Sequence, residues 1–389
     1  MALTWPVSRT RIAVLNAVDV AGRILFAPFR ALRQATNPPR AIERILVIEP
    51  WYIGDVVLVT PFLSALRDRF PGASISLLAR PFARELLANT GLVDEVIDAE
   101  LPWTAPSHKY RFGASARRHM RDLIATLRDR RFDLTIDARM DVRSNLLAAI
   151  TLAPRRIGYD IGGGGWLLTE ALPSNRDDTH KHADWDDLLR LLPGEGRVAK
   201  RAPARPLLVV TRDEKVDAER LITREVRAGG PTIGYHPGGS HPGKRWPGGH
   251  FRELSRVLCN EVGGRHVVML GPYDEDPGGW PESTLVVRPG LRELMAIISC
   301  CDVFVCNDSG PMHIADALSV PLVAIFEMGN PKWFGPTNPL SVVVPGELAG
   351  LGMSPVALDE PPSNPVTVTC VADAVRHTLR LTTESVTTS

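Results

Sequence analysis

The chain has 389 residues, 44% of them hydrophobic and 23% charged, which suits two domains with cores of their own and excludes a disordered chain. Its 45 basic and 44 acidic residues leave a formal net charge of +1, which excludes a globally basic nucleic-acid binder. Cys259, Cys300, Cys301, Cys306 and Cys370 include no C-x-x-C pair. That pattern argues against a disulfide framework or a zinc site and favours a reducing cytosol.

The first forty residues stand apart. Arg9, Arg11, Arg23, Arg30, Arg33 and Arg40 face a single acid, Asp19, and Ile12, Leu15, Val18, Ile24, Leu25, Phe29 and Leu32 fall close to helical spacing. A basic amphipathic helix of this kind reads as an element that lies on an anionic membrane surface. A helix packed on the first domain is the alternative. Asn16, Asp19 and Arg23 interrupt the apolar stretch, so it is no signal peptide, and no run reaches the roughly 18 residues of a membrane span.

Two series of alternating strands and helices follow. Strands are expected at 45–48, 74–79, 96–97 and 134–137, with helices at 56–70, 81–89 and 115–130. Leu192-Pro193-Gly194, with Pro203 and Pro206, marks a linker. Strands then recur at 232–236, 266–270, 303–306 and 322–326, with helices at 214–227, 247–261, 291–299, 311–318 and 371–381. The expected architecture is α/β: residues 1–40 as the basic segment, 41–205 as one Rossmann-like domain, and 206–389 as a second. The last helix is free to return to the first domain. Ligands in such sheets sit beyond the carboxyl ends of the strands, so two such domains facing a central cleft suit a donor on one and an acceptor on the other.

Four constellations could carry chemistry. Asp55, after Gly54 at the first strand-to-helix turn, is either a first-turn carboxylate that favours the helix dipole or a general base, with Gly54 permitting a tight turn. His236-Pro-Gly-Gly-Ser-His-Pro-Gly-Lys-Arg-Trp-Pro247 offers backbone amides, the Ser240 hydroxyl and the charges of Lys244 and Arg245 to a phosphate, or is solvated surface. Asn307-Asp-Ser-Gly-Pro-Met-His313 opens a helix; Ser309 and Gly310 could hold a diphosphate, while Asp308 or Ser309 could simply cap the helix, and His313 could face ligand or core. Asp274-Glu275-Asp276 is either a ribose-binding carboxylate turn or a solvated one, and no further ligand recommends it as a metal site. G-x-G-x-x-G, G-x-x-x-x-G-K-[ST] and G-x-S-x-G are absent from the places that need them, and Gly162 to Gly165 reads as a loop.

Taken together, Ile45-Leu-Val-Ile48, Gly54-Asp55 and Thr60-Pro-Phe-Leu-Ser-Ala-Leu66, then Lys244-Arg-Trp-Pro247, then Asn307-Asp-Ser-Gly310 with His313, resemble glycosyltransferase family 9, the bacterial lipopolysaccharide heptosyltransferases, over roughly residues 44–334. The resemblance implies a two-domain GT-B fold and metal-independent, inverting sugar transfer without a cofactor. The implied substrates are a nucleotide-diphosphate sugar, ADP-heptose first, and a lipid-linked or oligosaccharide acceptor of the lipopolysaccharide type. It also implies work in the cytoplasm or on the cytoplasmic face of the inner membrane. It makes Asp55 the base that deprotonates the acceptor, with Gly54 supporting it. Lys244 and Ser240 become donor-phosphate contacts, Glu275 the ribose contact, and Ser309, Gly310 and His313 the diphosphate and sugar contacts beside Asp308. A non-catalytic nucleotide-sugar binding protein and a two-domain epimerase are the competing readings.

Overall fold

The computed structural model describes residues 20–22, 24, 41–104, 113–139, 141–160, 164–173, 180–192, 205–226, 228–349 and 366–387. The chain divides into two compact units with the boundary at 204/205. Most of the basic N-terminal segment, and the linker expected around 193–203, lie outside the described residues.

The first unit is built on six parallel strands: β1 (Arg44–Ile48), β2 (Ser74–Ala79), β3 (Glu95–Asp98), β4 (Leu134–Asp137), β5 (Arg155–Tyr159) and β6 (Glu170–Leu172), in the order β3-β2-β1-β4-β5-β6. Ile45, Leu46, Val47 and Ile48 are all fully buried, which is why β1 reads as one apolar run rather than an alternation: helices cover both faces of a parallel sheet. β1 pairs with β2 on one side and β4 on the other, with Ile48 level with both Leu78 and Asp137. The first connecting helix starts earlier than the apolar pattern suggests. It runs as α1 (Ile53–Leu58), breaks at Val59, and resumes as α2 (Thr60–Arg69), with Pro61 in the first turn where its missing N–H costs nothing.

The second unit repeats the plan with β7 (Thr232–His236), β8 (Arg265–Met269), β9 (Thr284–Val287), β10 (Val303–Asn307), β11 (Leu322–Gly329) and β12 (Val342–Ala349), in the order β12-β11-β10-β7-β8-β9. Its core gathers Ile233, Tyr235, Trp246, Phe251, Val305 and Ile325, and the last helix, Val368–Thr387, adds Val371 and Val375 to it. That helix therefore packs on its own unit.

The sequence pattern misses β5, β6, β9 and β12, the strands at or next to the sheet edges. β9 is only half-buried, and β12 carries Pro345, which an edge strand tolerates, beside an irregularity in pairing at Phe326/Met328. It also misses the helix Val142–Ile150, capped by the Asp141 carboxylate on the Arg143 amide at 2.8 Å, and the helix Lys181–Leu188. Of the expected glycine loop, Gly164 has φ +79° and Gly165 begins a single 3-10 turn. Val20, Ala21 and Gly22 are helical, and a Cβ on Gly22 would come within 2.5 Å of the Trp166 indole, so this piece lies against the first unit. Val20 and Ile24 are 58% and 68% exposed.

Candidate functional site

In each unit the strand order reverses between two central strands, β1 and β4 in the first and β7 and β10 in the second, and the candidate residues other than Glu275 follow those strands.

In the first unit, Glu49 follows β1, and Asp137 ends β4 beside it. Asp55 sits in the first turn of α1 and its Oδ2 accepts the Tyr52 backbone N–H at 3.2 Å, so it does act as a helix-start carboxylate. Its other oxygen faces elsewhere: Arg139 Nη1 donates to Asp55 Oδ1 at 2.6 Å. Gly54 differs from expectation. It lies inside α1 and is not among the residues with positive φ, so no left-handed turn exposes Asp55; the strand end and the helix start do so between them.

The same Arg139 Nη1 lies 3.7 Å from Glu49 Oε1. Arg139 also donates its backbone N–H to Asp137 Oδ1 at 3.0 Å, and its guanidinium stacks 4.8 Å from the Trp51 ring centroid. Arg143 lies over Trp51 and Trp103 and pairs with Asp141, while Arg80 lies between the rings of Tyr52 and Phe82. Three carboxylates thus surround one guanidinium. Burial pushes Glu49 up to about 8, with Asp55 and Asp137 adding repulsion that Arg139 and Lys181 oppose. Burial likewise raises Asp137 to about 7, against the Arg139 amide and charge. At neutral pH Glu49 therefore keeps its proton, and Asp55, 19% exposed, is the carboxylate facing outward with Arg139 as counter-ion. Sequence reasoning found Asp55 alone. Charged residues directly after two buried apolar strands were the signal available for Glu49, Asp137 and Arg139.

In the second unit the two expected loops are joined. Asn307 Nδ2 donates to the carbonyls of Pro237 and Gly238 at 2.9 and 3.0 Å, and its Oδ1 accepts the Trp246 amide at 3.0 Å. Trp246 is buried and its indole N–H donates to Val366 O, so the tryptophan of the Lys-Arg-Trp-Pro run is an anchor. Arg245 Nε closes the loop on Gly239 O at 2.7 Å. Lys244 Nζ donates to Asp308 Oδ2 at 2.6 Å, so Asp308 holds the lysine and is not a helix cap. Ser309 occupies the N-cap position of the helix Gly310–Ala317, but its hydroxyl donates to Asn307 O at 3.1 Å and caps nothing. Pro311 brings no N–H and the Met312 amide bonds Ser309 O, so the Gly310 amide is the donor this first turn can offer an anion. His313, 7% exposed, is buried one turn into that helix. Ser240 is exposed on the loop.

The acidic turn after β8 separates its three residues. Asp274 points inward, accepting the Gly271 amide at 2.7 Å, with His236 Nε2 3.9 Å away. A Cβ on Gly238 would collide with this carboxylate at 2.0 Å, which explains a glycine there. Burial lowers the His236 pKa, so the ring is neutral and bonds Met269 O through Nδ1. Asp276 holds the Gly278 amide and the Trp280 indole, and Glu275 is exposed at the tip. Among the described residues no group of three or more His, Cys, Asp or Glu is arranged to hold a metal, and no helix is long and apolar enough to cross a membrane.

The profile of glycosyltransferase family 9 (heptosyltransferase) matches residues 120–349. Lipopolysaccharide heptosyltransferase 2 of Salmonella typhimurium is 30% identical over 314 residues, spanning 77% of this chain and 86% of the relative. The Escherichia coli protein of the same name is 29% identical over 77% of this chain and 86% of its own length. Among solved structures, the E. coli ADP-heptose lipopolysaccharide heptosyltransferase II superposes with a TM-score of 0.66 at 24% identity, covering 87% of this chain and 99% of that one. A family 9 glycosyltransferase from Veillonella parvula gives a TM-score of 0.69 at 21% identity, covering 87% and 97%. These structures share the two-domain α/β fold known as GT-B. With its profile match, its relatives and its fold in agreement, the chain belongs to glycosyltransferase family 9, the heptosyltransferases, and is a glycosyltransferase.

Proposed function

We propose that this enzyme transfers heptose from ADP-heptose to an acceptor of the lipopolysaccharide type, with inversion and without a metal. The names of its relatives support the sugar and the acceptor. The observation that carries the chemistry is the pairing of an outward-facing Asp55 with Arg139. The acceptor hydroxyl gives its proton to Asp55. Its oxygen bonds to the anomeric carbon as the bond from that carbon to the diphosphate oxygen breaks, and ADP leaves with the electron pair. A single displacement of this kind inverts the anomeric centre.

The departing diphosphate gathers negative charge, which fixed donors can stabilise. Lys244 is such a donor. An ammonium has three N–H groups, so one can hold Asp308 while the others reach phosphate. The helix start at Ser309 and Gly310 and the Ser240 hydroxyl complete the set. Glu275 is assigned to the ribose and His313 to the sugar and diphosphate. We further assign the N-terminal segment to the anionic cytoplasmic face of the inner membrane, an assignment supported by its basic sequence and by the outward Val20 and Ile24.

The test is Asp55→Asn, which keeps the bond to Tyr52 N and removes the base. Transfer should fall by about 10²–10⁴-fold, while ADP still raises the melting temperature of the variant as it does that of the native enzyme. Turnover near the native rate in Asp55→Asn would refute the base assignment.

A further inference from the structure

The proposed base does not act alone at its strand end. Arg139 Nη1 has two carboxylates in range, Asp55 Oδ1 at 2.6 Å and Glu49 Oε1 at 3.7 Å. Glu49 is 1% exposed, and its Oε1 has no hydrogen-bond partner among the described residues. An acceptor atom in that condition is costly, and it stays so only if something else requires it. Stacking on Trp51 holds the guanidinium in place, so both carboxylates face the same nitrogen and share its positive charge.

We propose that Glu49 is a positioning residue that sets how tightly Arg139 holds Asp55, and through that hold the strength of Asp55 as a base. The inference rests on the reading of Asp55 as the base. While Glu49 keeps its proton, it draws nothing from the charge of Arg139, and the close pair with Asp55 stabilises that carboxylate and weakens it as a base. Once Glu49 ionises, it draws on the same guanidinium and repels Asp55 directly. Asp55 remains charged but takes a proton more readily. The charged groups facing Glu49 are Asp55 from α1, Asp137 from the end of β4, Arg139 from the loop after it, and Lys181 from the start of the helix Lys181–Leu188. Lys181 is itself paired with Asp184 at 2.7 Å, so Arg139 is the cation that Glu49 and Asp55 share.

The experiment is the single-turnover rate of heptose transfer from ADP-heptose to heptose-deficient lipopolysaccharide between pH 6 and 9.5. The native enzyme should speed up by about three- to tenfold across a step centred near pH 8, where burial places Glu49. Glu49→Gln is close to isosteric but cannot ionise. It should lack the step near pH 8, keeping only what Asp137 contributes near pH 7, with unchanged affinity for ADP. Glu49→Asp keeps a carboxyl one methylene further back and should restore a smaller step, and this variant carries the test if Glu49→Gln does not fold. A native-like step in Glu49→Gln, or no step in a folded Glu49→Asp, would overturn the proposal. The two readings fail differently: residual turnover in Asp55→Asn speaks against the base, whereas an unaltered profile in Glu49→Gln speaks against Glu49 alone.

Discussion

Buried carboxylates make the first unit sensitive to alkali. Glu49 rises from 4.5 to about 8 on folding and Asp137 from 3.8 to about 7. Between the unfolded and folded values, the native state holds protons that the unfolded chain has released. Stability is therefore fully present below about pH 4 and is lost as pH climbs through 7 and 8. The melting temperature should fall steadily from pH 5 to pH 9. Asp137→Asn keeps the Oδ1 acceptor for the Arg139 amide and removes one titration, so its curve should be shallower. A melting temperature that rises with pH over this range would show that the two groups are not buried as neutral acids.

Among the elements, the helix Arg212–Glu225 shows how a local signal and a distant contact combine. Thr211 caps it, accepting the Glu214 amide at 3.3 Å, and Glu214 returns a bond to the Thr211 amide at 2.8 Å. Arg292, from the helix Leu291–Ser299, then grips both Glu214 oxygens at 2.8 and 2.6 Å. That bond, more than the cap, lowers Glu214 to about 2. Its contribution is present above pH 4.5 and is lost as pH falls towards 2. Thr211→Ala should cost about 1 kcal/mol in urea denaturation at pH 7, the usual value of an N-cap. No measurable loss would mean that Arg292 alone sets the position of Glu214. Central strands such as β1 and β10 were legible because both faces are buried and every residue must be apolar. β5, whose two arginines are only half-buried next to the sheet edge, and β12, an edge strand with a proline, were not legible because burial relaxes towards the edge.

Across the whole molecule, the same strand order appears in both units, and each places most of its candidate residues after the two strands where that order reverses, Glu275 after β8 being the exception. The first unit holds the proposed base, Asp55, with Arg139 and two buried carboxyls beside it, and the second holds the donors proposed for an anion. The described piece of the N-terminal segment belongs with the first unit, where Gly22 packs on Trp166 while Val20 and Ile24 face outward one turn apart. Replacing both by glutamate should leave the melting temperature unchanged, since neither is buried. The same change should abolish sedimentation with phosphatidylglycerol vesicles if this face meets the membrane. Undiminished sedimentation would remove these two residues from the membrane contact.

The sequence alone determined the alternation of strands and helices, the two-domain α/β class, and the loops that carry Asp55, Lys244 and Ser309. These are local signals: apolar runs, glycines after strands, and short polar motifs at helix starts. What only the tertiary structure decided is which charges meet. Asp55 and Arg139 lie 84 residues apart, and Lys244 and Asp308 lie 64 apart. Each pair forms because a parallel sheet sets two strands side by side that the chain visits far apart, β1 beside β4 and β7 beside β10. Glu49 and Asp137 looked like ordinary polar residues at strand ends. Burial makes them neutral acids in spite of the Arg139 charge beside them, and burial is a property of the fold rather than of any short stretch of chain.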